Sequence, residues 1–76
     1  MIPIGKLGCV LSGEYEGWYV LVQDDPKNTG GYYIYISKSK SFNSPLSEGY
    51  DYWLQSEFDL PEFFKNWEVE WNFIHL

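Results

Sequence analysis

Two runs of strand-forming residues, Gly17-Trp18-Tyr19-Val20-Leu21-Val22 and Tyr32-Tyr33-Ile34-Tyr35-Ile36, flank a polar break from Gln23 to Gly31. Both runs are dominated by β-branched and aromatic residues at strand length. The break holds Asp24, Asp25, Pro26, Asn28, Gly30 and Gly31, which supply turns rather than helix. The pair predicts a long-tipped antiparallel hairpin that the rest of the chain must cover. In the first arm Trp18, Val20 and Val22 share one face, and Tyr19, Leu21 and Gln23 the other. In the second, Tyr32, Ile34 and Ile36 oppose Tyr33, Tyr35 and Ser37. Ile34 and Ile36 are expected inward, with Tyr33 and Tyr35 on the more open side.

Around this hairpin the remaining elements are short. Leu7 to Leu11 is a strand candidate, with Pro3 marking an irregular or edge lead-in. Ser12 to Gly17 reads as a turn, with a glycine on each side of Glu14 and Glu16. Ser37 to Glu48 is loop material with Phe42 and Leu46 as isolated apolar anchors, either mobile or given to binding. Gly49 to Leu54 lies between strand and helical turn, and strand is the preferred reading.

A helix is predicted over about Leu60 to Asn66. Asp59 is the expected N-cap, Pro61 sits in the first turn, and Glu62 stands three after Asp59 in the manner of a capping box. Phe58 and Phe63 occupy the positions of a hydrophobic staple, and Phe63 and Phe64 are expected to point inward. From Trp67 to Phe73 the chain alternates strictly, placing Trp67, Val69, Trp71 and Phe73 opposite Glu68, Glu70 and Asn72. The sum is one small α+β domain spanning residues 1–76. It would have an antiparallel sheet of about four to five strands and one short helix packed on one face.

Chemistry-bearing residues are sparse. His75 is the single histidine, too near the terminus to be held as a triad member or zinc ligand. Cys9 is the single cysteine and reads as a small buried hydrophobe. A calcium loop starting at Asp24 fails: its third position is Pro26, its sixth Thr29 and its twelfth Tyr35. No nucleophile–base set, phosphate loop or metal cluster is legible, so no catalytic residue, metal or cofactor is assigned and an enzyme is disfavoured. With one cysteine, no disulfide is available within the chain. The lack of an apolar leader then points to a reducing cytoplasm, and nothing is apolar enough to span a membrane.

Charge narrows the partners. A net charge of −6 disfavours nucleic acid and anionic lipid, both of which need a cationic face. Tyr15, Tyr19, Tyr32, Tyr33, Tyr35, Tyr50 and Tyr52, with Trp18 and Trp53, either exceed what one small core can hide or pad a domain too small for a deep aliphatic core. Exposed rings among acids are the composition of a protein-binding face.

The segments Glu16-Gly17-Trp18-Tyr19-Val20, Thr29-Gly30-Gly31-Tyr32-Tyr33-Ile34-Tyr35, Gly49-Tyr50-Asp51-Tyr52-Trp53 and Trp67-Glu68-Val69-Glu70-Trp71 together resemble small acidic immunity proteins. Such proteins accompany bacterial polymorphic or contact-dependent toxins. The resemblance is one of style over most of the chain, and no site residue carries over by motif. It implies a non-enzymatic inhibitor that binds a basic toxin domain through acids and aromatics. The expected partner contacts are Glu14, Glu16, Asp24, Asp25, Tyr33, Tyr35, Asp51 and Trp53. A small-ligand module of carbohydrate-binding type, or a homodimeric structural or regulatory domain, is the alternative.

Overall fold

A computed structural model describes residues 2–38 and 49–71. Five strands and one helix follow in the order β1 (Leu7–Val10), β2 (Tyr19–Asp24), β3 (Tyr32–Ser37), β4 (Gly49–Leu54), α1 (Asp59–Phe63) and β5 (Val69–Trp71). They form one sheet in the order β4-β3-β2-β1-β5, with every neighbouring pair antiparallel. The first four strands make a meander. The connection that carries α1 then runs from the β4 edge to the opposite edge, where β5 joins β1.

The hairpin of the two apolar runs is β2 and β3, in unbroken register from Tyr19 opposite Ser37 to Asp24 opposite Tyr32. That register puts Val22 across from Ile34 and Val20 across from Ile36, and all four are essentially inaccessible. Val10, Leu60 and Phe64 complete the buried cluster. Rings and aliphatics pack against it from Ile2, Tyr15, Trp18, Tyr32, Leu54, Phe63, Trp67, Val69 and Trp71. Aromatic bodies at the rim therefore extend a core that, among the described residues, holds seven. Gly8 makes the β1–β5 contact possible: a Cβ there would come 2.7 Å from Val69 and 2.8 Å from Trp71.

The helix begins differently from the sequence expectation. Phe58 already has helical torsions, φ −67° and ψ −18°, and Asp59 is the first helical residue rather than the cap. The Asp59 carboxylate instead accepts from the backbone N–H of Ser56 at 3.3 Å. The Ser56 hydroxyl oxygen in turn accepts from the N–H of Phe58 at 3.2 Å. This is a capping box one turn earlier, with serine as the cap and aspartate as the reaching acid. Because the chain enters the turn at Ser56, Phe58 points outward at 85 % exposure and forms no staple. The helix also ends earlier than expected, at Phe63. Phe64 is the buried aromatic and Phe63 is half-buried.

Elsewhere the terminal strand is described over Val69–Trp71, with Val69 and Trp71 packed on the core and Glu70 exposed. Trp67 precedes it and belongs to the aromatic rim. Ser37, expected to open a loop reaching Glu48, instead closes β3 as a buried polar residue, and residues 39–48 lie outside the described ones. Phe42, Leu46, Asn72, Phe73 and His75 lie outside the described residues. Among those described, no helix is long and apolar enough to cross a membrane.

Candidate functional site

Register fixes what lies on the second face of the sheet. Trp53 stands across from Tyr33, which stands across from Gln23. Asp51 faces Tyr35, then Leu21, then Leu7. Ser37 is followed by Tyr19, Cys9 and Glu70. These residues point away from the valine–isoleucine cluster, because side chains alternate along each strand. Leu7, Cys9, Tyr19, Leu21, Tyr33 and Tyr35 are only half-buried, and Asp51 and Trp53 are exposed. Cys9 is thus less buried than its sequence context suggests: it falls on the face opposite Leu60 and Phe64.

At one end of this face, the tip between β2 and β3 builds a polar wall. The Asp25 carboxylate accepts from Asn28 Nδ2 at 3.3 Å, from the Thr29 N–H at 3.2 Å and from Thr29 Oγ1 at 3.0 Å. Gly30, at φ 75°, lets its N–H reach back to the Asp25 carbonyl at 2.7 Å. Thr29 Oγ1 also accepts from Trp53 Nε1 at 2.9 Å, so the tip and β4 are tied through one hydroxyl. Gly31 leaves room for that indole.

Tyr33 and Tyr35 stack with ring centroids 5.8 Å apart and 18° between planes. Together with Gln23, Asp24, Asp25, Asn28 and Thr29 they line an open depression of about 390 Å³. The Tyr35 hydroxyl is pushed above the ordinary tyrosine range by burial, then by Tyr33, Asp51 and Asp25. The ring is thus held neutral among acids, as a donor to any acceptor brought to the face.

Six of the eight expected contacts come together here. Asp24, Asp25, Tyr33 and Tyr35 line the depression, Trp53 is bonded to its wall, and Asp51 stands across from Tyr35. Glu14 and Glu16 do not join them. They sit in the β1–β2 turn, at the other end of β2, where Tyr15 packs on the core side. Tyr15 stacks against Trp67 at 5.7 Å and meets Trp18 edge-on at 5.1 Å. Its hydroxyl is pushed well above the usual tyrosine range by a hydrogen bond with Tyr52, by burial, and by Glu14. Glu14 is therefore engaged within the chain. Sequence reasoning missed Thr29 and Asn28, whose signal was their spacing of four and three from Asp25. Lys38 lies 5.3 Å from the Trp18 ring, at the other end of the hairpin from the tip.

Both tyrosine shifts act against the folded state at alkaline pH. Below the unfolded value of about 10 both states hold the proton, so the contribution to stability is constant. Above it, the unfolded chain releases protons that the folded chain keeps, and stability falls until the folded groups titrate. Absorbance at 295 nm should show a late-ionising tyrosine signal that shrinks in Tyr35→Phe. Urea midpoints should fall from pH 9.5 upward (about the unfolded tyrosine range), and less steeply in Tyr35→Phe. Equal slopes in the two proteins would contradict the assignment to Tyr35.

Among the described residues, no His, Cys, Asp or Glu cluster of three or more is placed to hold a metal ion. Compared with known proteins, the chain matches no family model, no curated protein and no solved structure.

Proposed function

We propose that this chain is a non-enzymatic protein-binding domain of the inhibitor or immunity type, whose tyrosine-bearing sheet face docks a basic partner. In this reading α1 packs over the valine–isoleucine face and leaves the other face for docking. The observation that carries it is the gathering of Asp24, Asp25 and Asp51 around Tyr33, Tyr35 and Trp53. Acids at the rim steer a cationic surface into place. Rings that already have partners within the chain then contribute contact area at little ordering cost, Trp53 through Thr29 and the two tyrosines by stacking. The net charge of −6 has the same sense. The reading keeps the expected placement of such a protein in the cytoplasm, beside a toxin whose basic active surface it would cover.

The test is calorimetric titration with the product of the neighbouring gene. Affinity should fall as salt rises, and Tyr33→Ala or Trp53→Ala should each weaken binding by about 30-fold or more. Salt-independent binding, or binding unchanged by both substitutions, rejects the proposal.

One observation favours a second reading. A depression lined by two tyrosines, Asp25, Asn28 and Gln23 also has the mixture of ring faces and amide or carboxylate groups that suits a polyhydroxylated small ligand. Quenching of tryptophan fluorescence by sugars in the absence of any protein would favour it.

A further inference from the structure

The outer edge of β4 is the longest unpaired edge of the sheet among the described residues. β4 runs for six residues, whereas β5 at the other edge runs for three with Glu70 at its centre. Alternate residues of an antiparallel strand turn both N–H and C=O to the same side, so half of β4 offers both groups outward. Edges of this length are ordinarily blunted by lysine, proline, a bulge or a covering segment. β4 contains neither lysine nor proline, and its register with β3 is unbroken from Gly49 to Leu54.

The side chains along this edge are already held in place. Tyr50 stacks on Trp18 at 6.0 Å with 10° between planes, and Tyr52 meets Phe63 at 5.4 Å. Trp53 is bonded to Thr29. These rings nevertheless keep 54 %, 40 % and 45 % of their surface accessible. A strand added alongside would thus meet two ordered rows: Tyr50, Tyr52 and Leu54 on one face, Asp51 and Trp53 on the other.

Charge decides between the possible occupants. A second copy pairing about a two-fold axis must keep each cross-strand pair on one face, so the axis passes through a residue of β4, and only Asp51 and Tyr52 at its middle leave five of its six residues paired. Through Asp51, it sets two carboxylates opposite one another, which is destabilising. Through Tyr52, it sets Asp51 against Trp53 and leaves both acids uncompensated. Either arrangement also brings together two chains of net charge −6.

We infer that the outer edge of β4 takes up an extended segment of a basic protein, adding a sixth strand to the sheet. Lysine or arginine of that segment lies beside Asp51 and Trp53, and apolar residues alternate with them beside Tyr50 and Tyr52. The cation gains the carboxylate and the indole face together, while the backbone bonds hold the segment whatever its remaining sequence. This rests on the reading of the domain as a binder of basic protein, and it specifies the mode of docking.

The test uses the full chain labelled with nitrogen-15, a capped peptide alternating valine and lysine, and a block-ordered peptide of the same composition. The alternating peptide should shift the amides of Gly49 to Leu54 and slow hydrogen exchange at alternate residues of β4. The block-ordered peptide should bind at least about tenfold more weakly, because it cannot place both rows at once. Asp51→Asn should weaken the alternating peptide by up to about fivefold. Equal binding of both peptides, with shifts confined to Gln23–Tyr35, overturns the edge inference while leaving the acidic face as a docking surface. Failure of both peptides overturns it too, whether or not sedimentation finds a second copy on the edge. Titration with the neighbouring-gene product then reports on the broader reading by itself.

Discussion

Replacing Ile34 with alanine is expected to cost about 2–5 kcal/mol, the range for truncating a fully buried branched side chain. Ile34 is wholly inaccessible and lies between Val22 on β2 and Tyr52 on β4, so it is packed from both neighbouring strands. A domain of this length holds about 4–11 kcal/mol in total, so the loss is a large fraction of the margin. Urea unfolding followed by tryptophan fluorescence should show a midpoint greatly lowered or a chain already unfolded. Ile34→Val should cost only about 0.5–1.5 kcal/mol. A mild effect of alanine would mean that the valine–isoleucine cluster is not the core.

The second large effect is expected at Gly31. A Cβ there would lie 2.5 Å from the Leu54 carbonyl oxygen and 2.5 Å from Trp53 Nε1. The carbonyl belongs to a paired strand and cannot shift cheaply. Gly31→Ala should therefore cost about 1–3 kcal/mol and displace the indole from Thr29. Red-shifted tryptophan emission together with a lower urea midpoint would report both. Gly30→Asn is the contrast: the space beside Gly30 is open, and asparagine tolerates its positive φ. If the two variants behave alike, the close approach of Trp53 to the tip is not what holds β4 there.

Several features of this arrangement are legible in the sequence. Period-two alternation sorted Val20, Val22, Ile34 and Ile36 from Tyr33 and Tyr35, because a paired strand has no other way to place neighbours. Gly49–Leu54 could be read as a strand from its aromatics. What could not be read was which edge each strand would take. The position of β5 beside β1 depends on Gly8 leaving room for Trp71, a contact between residues distant in sequence. The cap differs from the sequence expectation for a local reason. Ser56 and Asp59 satisfy the same spacing rule as Asp59 and Glu62, and only the torsions of Phe58 decide between them.

For the candidate site, the residue types single out most of one surface but not its extent. Asp25, Tyr33 and Tyr35 meet because a tip and a strand face adjoin, as expected of one hairpin. Glu14 and Glu16 were grouped with them by charge alone, and the β1–β2 turn carries them to the opposite end. Thr29 went unnoticed because a hydroxyl in a turn is ordinarily local. Its bond to Trp53 spans 24 positions and depends on the β3–β4 register.

The union of β5 with β1 has a further bearing on how the molecule comes together. Its partners, Gly8 with Trp71 and Val10 with Val69, stand near opposite limits of the described chain, so closing them exacts the largest loop entropy of any pairing in the sheet. Such a union is expected to gain most once β1 is already paired with β2 and presents Val10 on a formed surface. Maturation at this margin is therefore subordinate to the hairpin. An injury to Val20 or Ile36 would be felt at Trp71, whereas loss of the three-residue margin would spare the rungs between Tyr19 and Ser37.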